Sequence, residues 1–534
     1  MLQEKNIRTL NDLIDAAARR RPKHPAIITL ETSLNYDDLR LLVIRMAAGL
    51  HAAGVRRGDC VALIHRNGVP FVTSYFAAAR LGALIVPINF MIQKPHDLAF
   101  MLNDCRAVAA VTQNEFLPGL RAAAARVPTL KRVWISDLAG HGHGHHPHIP
   151  AERPFTDLLM TSAHHLPHHH AEENDTAAVL YTSGTTGIPK GVMLSHRNLI
   201  TNATSAVTRS QLHQSDVSLC ILPTFHTFAW TANVITPMRA GATIAMAPSI
   251  TPARLWLKLM AHRGVTVMTA IPQIFALLAK EATGLNRVLL RWWFFRKVRF
   301  ATSGAGPLPL PVLKQFESIF GVPIFEGYGL TETSPIVTLN PAQHRKPGTT
   351  GTPLSGVRVQ IIDEGGRQLP AGEVGEVCVQ GDCVMQGYFH RPEETLQAFT
   401  ADGWFKTGDL GCLDKEGYLS IKDRKKDMII VKGLKVFSAQ VETVLLDHPA
   451  VAEAAVIGVP DSTADETVKA FVVLRRDAVA DRAELLRHCR QKLDAYKRPR
   501  DIEVVDLLPK NTLQKVLKNV LRQRELEKLG RPTT

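Results

Sequence analysis

The stretch YTSGTTGIPKG, Tyr181 to Gly191, follows an apolar AAVL and gathers hydroxyls and glycines around a single lysine. Glycines let the backbone reach positive φ and approach a ligand closely, and Ser, Thr and backbone N–H groups can wrap several anionic oxygens at once. That chemistry suits a polyphosphate. The strand–loop–helix phosphate pattern G-x-x-x-x-G-K-[ST] is not met, because Lys190 follows Gly187 by three residues and Gly191 stands where a hydroxyl should be. The stretch therefore reads as a phosphate loop of another kind.

On both sides of it, helical stretches such as YDDLRLLVIRMAAGLHAAG alternate with short apolar runs such as CVALI, ALIVPI, VTVMTAI and VRFATSG. Alternation of this kind implies α/β layers with largely parallel strands. From about Gly348 the texture changes to short glycine-punctuated strands, VRVQIIDEGG and GEVGEVCVQG, a small β-rich subdomain over about 348–423. Beyond GYLSIKDRKKDMII it becomes a compact α+β tail, with FSAQVETVLLDH helical and AEAAVIGVP and KAFVVLRR strand-like. The fold class is thus α/β: a large N-terminal domain, 1–423, and a small α+β C-terminal domain, 424–534, with the boundary at Lys422–Lys426.

With 534 residues the chain is too long for one ordinary core. Nothing in it approaches an uninterrupted apolar run of about 20 residues, and MLQEKNIRTLNDLI lacks a signal peptide's apolar centre. The expectation is a cytoplasmic protein. Seven scattered cysteines favour reduced thiols over a disulfide framework. A formal charge of +14 attracts nucleic acid, anionic membrane and phosphorylated small molecules alike. No zinc-finger spacing or RNA-recognition signature accompanies it, so nucleic acid is not expected as a partner.

Two segments stand apart. Ten of the 22 histidines lie between His141 and His170, mixed with Gly and Pro, and read as a solvated insertion rather than a metal site. In RVLLRWWFFRKVRF, Arg287 to Phe300, aromatics and cations crowd together. It reads as a packed helix feeding the next strand, or as an interfacial anchor that puts Trp292, Trp293, Phe294 and Phe295 at the headgroup boundary of an anionic membrane.

Three further stretches bear on the phosphate loop. FEGYGLTETSP, Phe325 to Pro335, sets a ring, two glycines, hydroxyls and a carboxylate in a tight turn: Tyr328 can stack on a purine, Thr331 can reach a phosphate oxygen and Glu332 can hold Mg²⁺. DGWFKTGDLG offers Asp409 in a glycine turn, where a carboxylate can accept both hydroxyls of a ribose, and Arg424 can add a second contact. LPKNTLQKVLKNVLR supplies Lys515, which alone is one more solvated lysine.

Together these stretches resemble the adenylate-forming superfamily, which contains acyl-CoA synthetases, peptide-synthetase adenylation domains and firefly-type luciferases, and in particular its long-chain fatty acyl-CoA synthetases. The resemblance implies two half-reactions: a carboxylate attacks the α-phosphate of MgATP, giving acyl adenylate and pyrophosphate, and a thiol then displaces AMP. It assigns Lys515 to bridge carboxylate and α-phosphate, Glu332 to Mg²⁺ and Thr331 to the phosphate. Thr182, Ser183, Gly184, Thr185, Thr186, Gly187 and Lys190 would cradle the β- and γ-phosphates. Gly304, Ala305, Gly327, Tyr328, Gly329, Asp409 and Arg424 would hold the rest of the nucleotide. The C-terminal domain would swing about Lys426, and Gly433 would line the thiol tunnel. His226 matches a histidine beside the substrate carboxylate, and Trp230 a tryptophan that gates an acyl tunnel. Three positions depart from the family pattern: Gln514 stands for a usual Gly, Ser438 for a frequent Pro and Asp423 for a frequent Gly.

No lysine or arginine marks Leu222 to Ala240 until Arg239, so a monocarboxylate with an apolar body, a medium- or long-chain fatty acid, is the expected substrate. Coenzyme A is the expected acceptor, since the chain stops shortly after Lys515 without a fused carrier domain. Transfer to a free acyl carrier protein, an aryl or other carboxylate as substrate, and an inactive membrane-associated nucleotide-binding relative stay open, as does a homodimer. Peripheral association with the inner face of the membrane would run through 287–300.

Overall fold

The computed structural model describes residues 7–92, 94–138, 151–162, 166, 171–183, 189–431, 434–460, 466–476, 478–510 and 516–528. The chain divides into two compact units, Met1–Arg358 with Val379–Phe405, and Val359–Cys378 with Lys406–Thr534.

Two large sheets build the first unit. One has nine strands in the order Thr352–Pro353, Ile336–Leu339, Ile324–Gly329, Phe300–Ser303, Val267–Ala270, Val217–Cys220, Thr243–Met246, Pro25–Ile28 and Ser33–Asn35. It is parallel from Ile324–Gly329 through Pro25–Ile28 and antiparallel at its edges. The second has eight, in the order Gly387–Tyr388, Pro189–Ser195, Thr176–Ser183, Leu84–Pro87, Cys60–Ile64, Ala107–Thr112, Arg132–Ile135 and Ala151–Pro154. All five residues of CVALI are buried, as continuous apolar runs must be when helices cover both faces of a parallel sheet.

The phosphate-loop stretch is an antiparallel exception within the expected, largely parallel sheets. Thr176–Ser183 and Pro189–Ser195 form an antiparallel hairpin whose register runs from Thr176 opposite Ser195 to Ser183 opposite Pro189. A strand, and not a helix, thus follows the loop. The hairpin hands the chain to the helix His196–Ser210, which starts with a capping box: Ser195 Oγ accepts from Asn198 N, and Asn198 returns the bond to the Ser195 N–H.

Trp230 is a core residue of this unit. Its indole stacks on Tyr75 at 4.0 Å and meets Phe71 at 5.6 Å and Phe76 at 5.9 Å, all three from the helix Val69–Leu81. It is fully buried. The gate expected at Trp230 is therefore a ring wedged between elements, and the half-buried aromatic neighbouring it is Phe228.

The second unit carries most of a four-stranded sheet, Val357–Ile362, Gly375–Gly381, Phe405–Leu413 and Leu419–Arg424. The three strands Val451–Pro460, Glu466–Leu474 and Asp501–Val504 follow, packed with the helices Ser438–Leu446, Arg482–Lys492 and Lys518–Lys528. Residues 359–378 and 406–423 of the expected β-rich subdomain group with the C-terminal residues. Side chains link the two stretches: Lys425 pairs with Glu376 at 2.7 Å, Lys435 with Glu364 at 2.7 Å, and Ser438 bonds Asp423.

Truncating Trp230 to Ala should lower unfolding free energy by about 3–5 kcal/mol, the range for an aromatic removed from a packed core. A denaturation midpoint unchanged from the parent in urea would contradict that placement.

Candidate active site

The glycine-rich turn of the first unit is fixed by close backbone approach. A Cβ on Gly329 would lie 1.7 Å from the Pro335 carbonyl oxygen, and one on Gly327 would lie 3.1 Å from that of Thr338. Leu330 N donates to the same Pro335 oxygen at 3.0 Å, and Thr333 Oγ1 donates to it at 2.8 Å. Two neighbours clamp the turn. Asn202 on the helix His196–Ser210 donates to Ile336 O at 2.7 Å, and Thr231 Oγ1 donates to Ser334 O at 3.0 Å. Ser334 itself sits at φ 69°, a left-handed conformation that costs a non-glycine residue of order 1 kcal/mol and is common at ligand sites. Thr331 and Glu332 lie in the short 3-10 turn Thr331–Thr333 that this clamp holds, and Tyr328, next to last in the preceding strand Ile324–Gly329, lies opposite Thr338.

Glu332 meets the flank of the phosphate loop through a residue that sequence reasoning missed. Tyr388 pairs with Val192 in the second sheet, and its hydroxyl donates to Glu332 Oε1 at 3.2 Å. The ammonium of Lys190 lies 5.3 Å from the Tyr388 ring centroid, a cation over a π face. Burial, followed by the charge of Glu332, raises the Tyr388 pKa, so the phenol stays protonated. Lys190, Tyr388 and Glu332 thus converge from three distant stretches. Thr182 is paired with Lys190 in the hairpin. Gly184, Thr185, Thr186 and Gly187, together with the Ser183 side chain, lie outside the described residues. So do Gly433 and Lys515.

Gly304 and Ala305 follow the strand Phe300–Ser303. Ala305 adopts φ 65°, and the Phe228 ring covers Gly304 so closely that a Cβ there would lie 2.7 Å from its Cζ. His226 begins the same helical segment, its ring 4.2 Å from that of Phe225. Burial lowers the His226 pKa to about 4, so the imidazole is neutral at pH 7 and can donate one hydrogen bond to a carboxylate. The approach to this segment is held by Asn67, another residue with no signal in its local sequence: its amide donates to Leu222 O and Ala247 O and accepts from Thr224 N.

In the second unit Asp409 and Arg424 stand opposite one another on antiparallel strands, and Arg424 Nε lies 2.8 Å from Asp409 Oδ1. Asp409 is buried, and its N–H donates to Thr407 Oγ1. A carboxylate oriented by a guanidinium is suited to accept vicinal hydroxyls. Two of the departures from the family pattern form a bond with each other: Ser438 Oγ donates to Asp423 Oδ2 at 2.7 Å. Lys518 Nζ donates to Ser438 Oγ at 2.7 Å and pairs with Glu442 at 2.7 Å, which completes a polar network around the buried Asp423 and Ser438.

The residues fit a magnesium nucleotide. Among the described residues no three His, Cys, Asp or Glu side chains group as a metal site. A lone carboxylate such as Glu332 suits Mg²⁺, which takes one or two protein carboxylates and completes its shell with phosphates and water.

Comparison with known proteins agrees with this geometry. Residues 14–389 match the model of the AMP-binding enzyme family, and 440–515 match the AMP-binding enzyme C-terminal domain. The chain is 32% identical to the long-chain-fatty-acid–CoA ligase of Bacillus subtilis over 97% of its length and 95% of that protein. It is 33% identical to 4-coumarate–CoA ligase 5 of Oryza sativa over 92% and 89%. A crystal structure of the anthranilate CoA ligase AuaEII with anthranoyl-AMP superposes with a TM-score of 0.88 at 28% identity, covering 98% of both chains. The chain belongs to the AMP-binding, adenylate-forming enzymes. It is an AMP-forming acid–thiol ligase.

Two outcomes follow from these surroundings. The unfolded chain protonates His226 below its ordinary 6.5, whereas the folded chain does so only near 4, so the stability that neutral His226 contributes above 6.5 is lost as pH falls from 6.5 through 4. His65, also buried and lowered to about 4, has the same sign. His226→Gln should flatten the fall in melting temperature across that window without abolishing it, and an unchanged slope would refute the neutral assignment. Ser438→Ala should lower stability by about 1–3 kcal/mol, since it leaves a buried carboxylate short of a donor; thermal melts equal to the parent's would show that the network contributes nothing.

Proposed function

We propose that the enzyme activates a monocarboxylic acid with an apolar body, a medium- or long-chain fatty acid, and transfers it to coenzyme A. The acid's carboxylate oxygen attacks the α-phosphorus of ATP, the bond to the bridging oxygen breaks, and pyrophosphate leaves. The thiolate of CoA then attacks the acyl carbon, and AMP departs. Mg²⁺, held by Glu332, would neutralise phosphate charge. Lys190 and the hydroxyls from Thr182 to Thr186 would receive the pyrophosphate, Thr331 would hold phosphate oxygens, Tyr328 would stack on adenine, and Asp409 with Arg424 would hold the ribose. Tyr388 positions Glu332 in this scheme. Lys515 would bridge carboxylate and α-phosphate, carried by a domain, 424–534, that turns about Lys426 and brings Gly433 to the thiol.

One observation carries the choice of acid. Arg239, the sole cation between Leu222 and Ala240, is buried and donates from Nε to Thr204 Oγ1 at 3.0 Å, so it is committed to the helix His196–Ser210. Of the stretch's apolar side chains, Leu222, Phe225 and Ala229 are buried in the core and Phe228 is half-buried, so an acid meeting this stretch would find apolar surface that rewards methylenes at about 0.8 kcal/mol each and no uncommitted Lys or Arg for a second carboxylate. An aryl acid is the second reading, favoured by the Phe228 ring lying over Gly304, a flat apolar wall.

Pyrophosphate release measured over fatty, aromatic and short acids, with CoA or acyl carrier protein as acceptor, tests both readings. Release should be greatest with fatty acids of medium or long chain, and thioester should form with CoA. A preference for short or dicarboxylic acids would overturn the proposal. Lys515→Ala should abolish adenylate formation, a loss of at least about 10²-fold as for removal of one transition-state charge contact, and leave thioester formation from supplied acyl adenylate largely intact. Equal loss of both half-reactions would remove Lys515 from that role.

A further inference from the structure

We propose that the outward face of residues 284–297 is a docking surface for an anionic lipid bilayer. The segment is a helix, Gly284–Leu289, continued by a π-helical turn, Leu290–Phe294. Its inward side chains are Leu290 and Phe294, which pack on the core, and Phe295, which is buried against Phe316 and Phe320. Its outward side chains are Val288, Leu289, Trp292 and Trp293. The two indoles are 66% and 55% exposed, and both aliphatics are more than half exposed. Packing of the inner row fixes the outer row, so these rings stand in water because the fold holds them there.

Charge selects the partner. Between residues 251 and 320 the chain has ten Lys and Arg against two acids, Glu281 and Glu317, a net +8 of the whole chain's +14. Glu317 is held by Arg345. Arg254, Lys258, Lys280, Arg287, Arg296 and Lys297 are exposed. The guanidinium of Arg291 lies 5.5 Å from the Trp292 ring, and that of Arg296 lies 6.0 Å from the Trp293 ring. Cations beside exposed indoles match an interface in which phosphates lie at the depth of tryptophan rings. A second copy of this chain is disfavoured, because a self-complementary contact would set the same cations face to face. No helix among the described residues is long and apolar enough to cross a membrane, so the contact is peripheral. The proposal is independent of which acid is activated.

Sedimentation of the full chain with vesicles tests it. Phosphatidylcholine vesicles with about 40% phosphatidylglycerol should bind at least about tenfold more tightly than pure phosphatidylcholine, and raising salt from about 0.1 to 0.5 M should weaken binding. Trp292→Ser with Trp293→Ser, and separately Arg287→Gln with Arg296→Gln and Lys297→Gln, should each cost about tenfold in vesicle affinity, with thermal melts and pyrophosphate release unchanged. Vesicle binding that is absent, or equal in parent and variants, would overturn the proposal. It would also fall if the tryptophan variant changed only oligomeric state, pointing to a second copy, or only affinity for an acidic carrier protein.

Discussion

The contact between Gly329 and the Pro335 carbonyl is the constraint on which the first unit's site depends. A turn this tight admits no side chain at 329, and it forces Thr331 and Glu332 into a single helical turn with one orientation. Once that orientation is set, Glu332 has a fixed oxygen to offer Tyr388, and Tyr388 in turn carries Lys190 over its ring. The strain at Ser334 and the bonds from Asn202 and Thr231 are the counterparts of the same contact. Strained backbone persists where neighbours over-determine it, and here two helical segments do so.

The phosphate-loop stretch lies between the paired strands Thr176–Ser183 and Pro189–Ser195, and not between a strand and a helix. A loop that opens a helix presents the helix N-terminus to phosphate. A loop at the tip of two paired strands has no such dipole and relies on its own hydroxyls, N–H groups and lysine. That is the composition of residues 182–190.

The second unit shows a different economy. Asp423 and Ser438 look like separate departures from a family pattern, yet their side chains bond each other and are joined by Lys518 and Glu442. At these two places the chain carries a carboxylate and its donor, which act as one unit. A buried carboxylate is tolerated only when its partners arrive with it.

Sequence alone determined the order of elements, the α/β class and the stretches that carry chemistry, because periodicity, glycine placement and the spacing of Tyr328, Thr331 and Glu332 are local properties. Val357–Ile362 and Ser438–Leu446, for instance, fall where apolar spacing put them. Only tertiary structure decided which residues meet. Tyr388 beside Glu332, Asn67 beneath Thr224, Trp230 wedged among the rings of Val69–Leu81, and Arg239 turned toward Thr204 all depend on contacts between segments far apart in the chain. Such contacts follow from how buried surfaces interlock, and local spacing and periodicity do not reveal which apolar faces will meet.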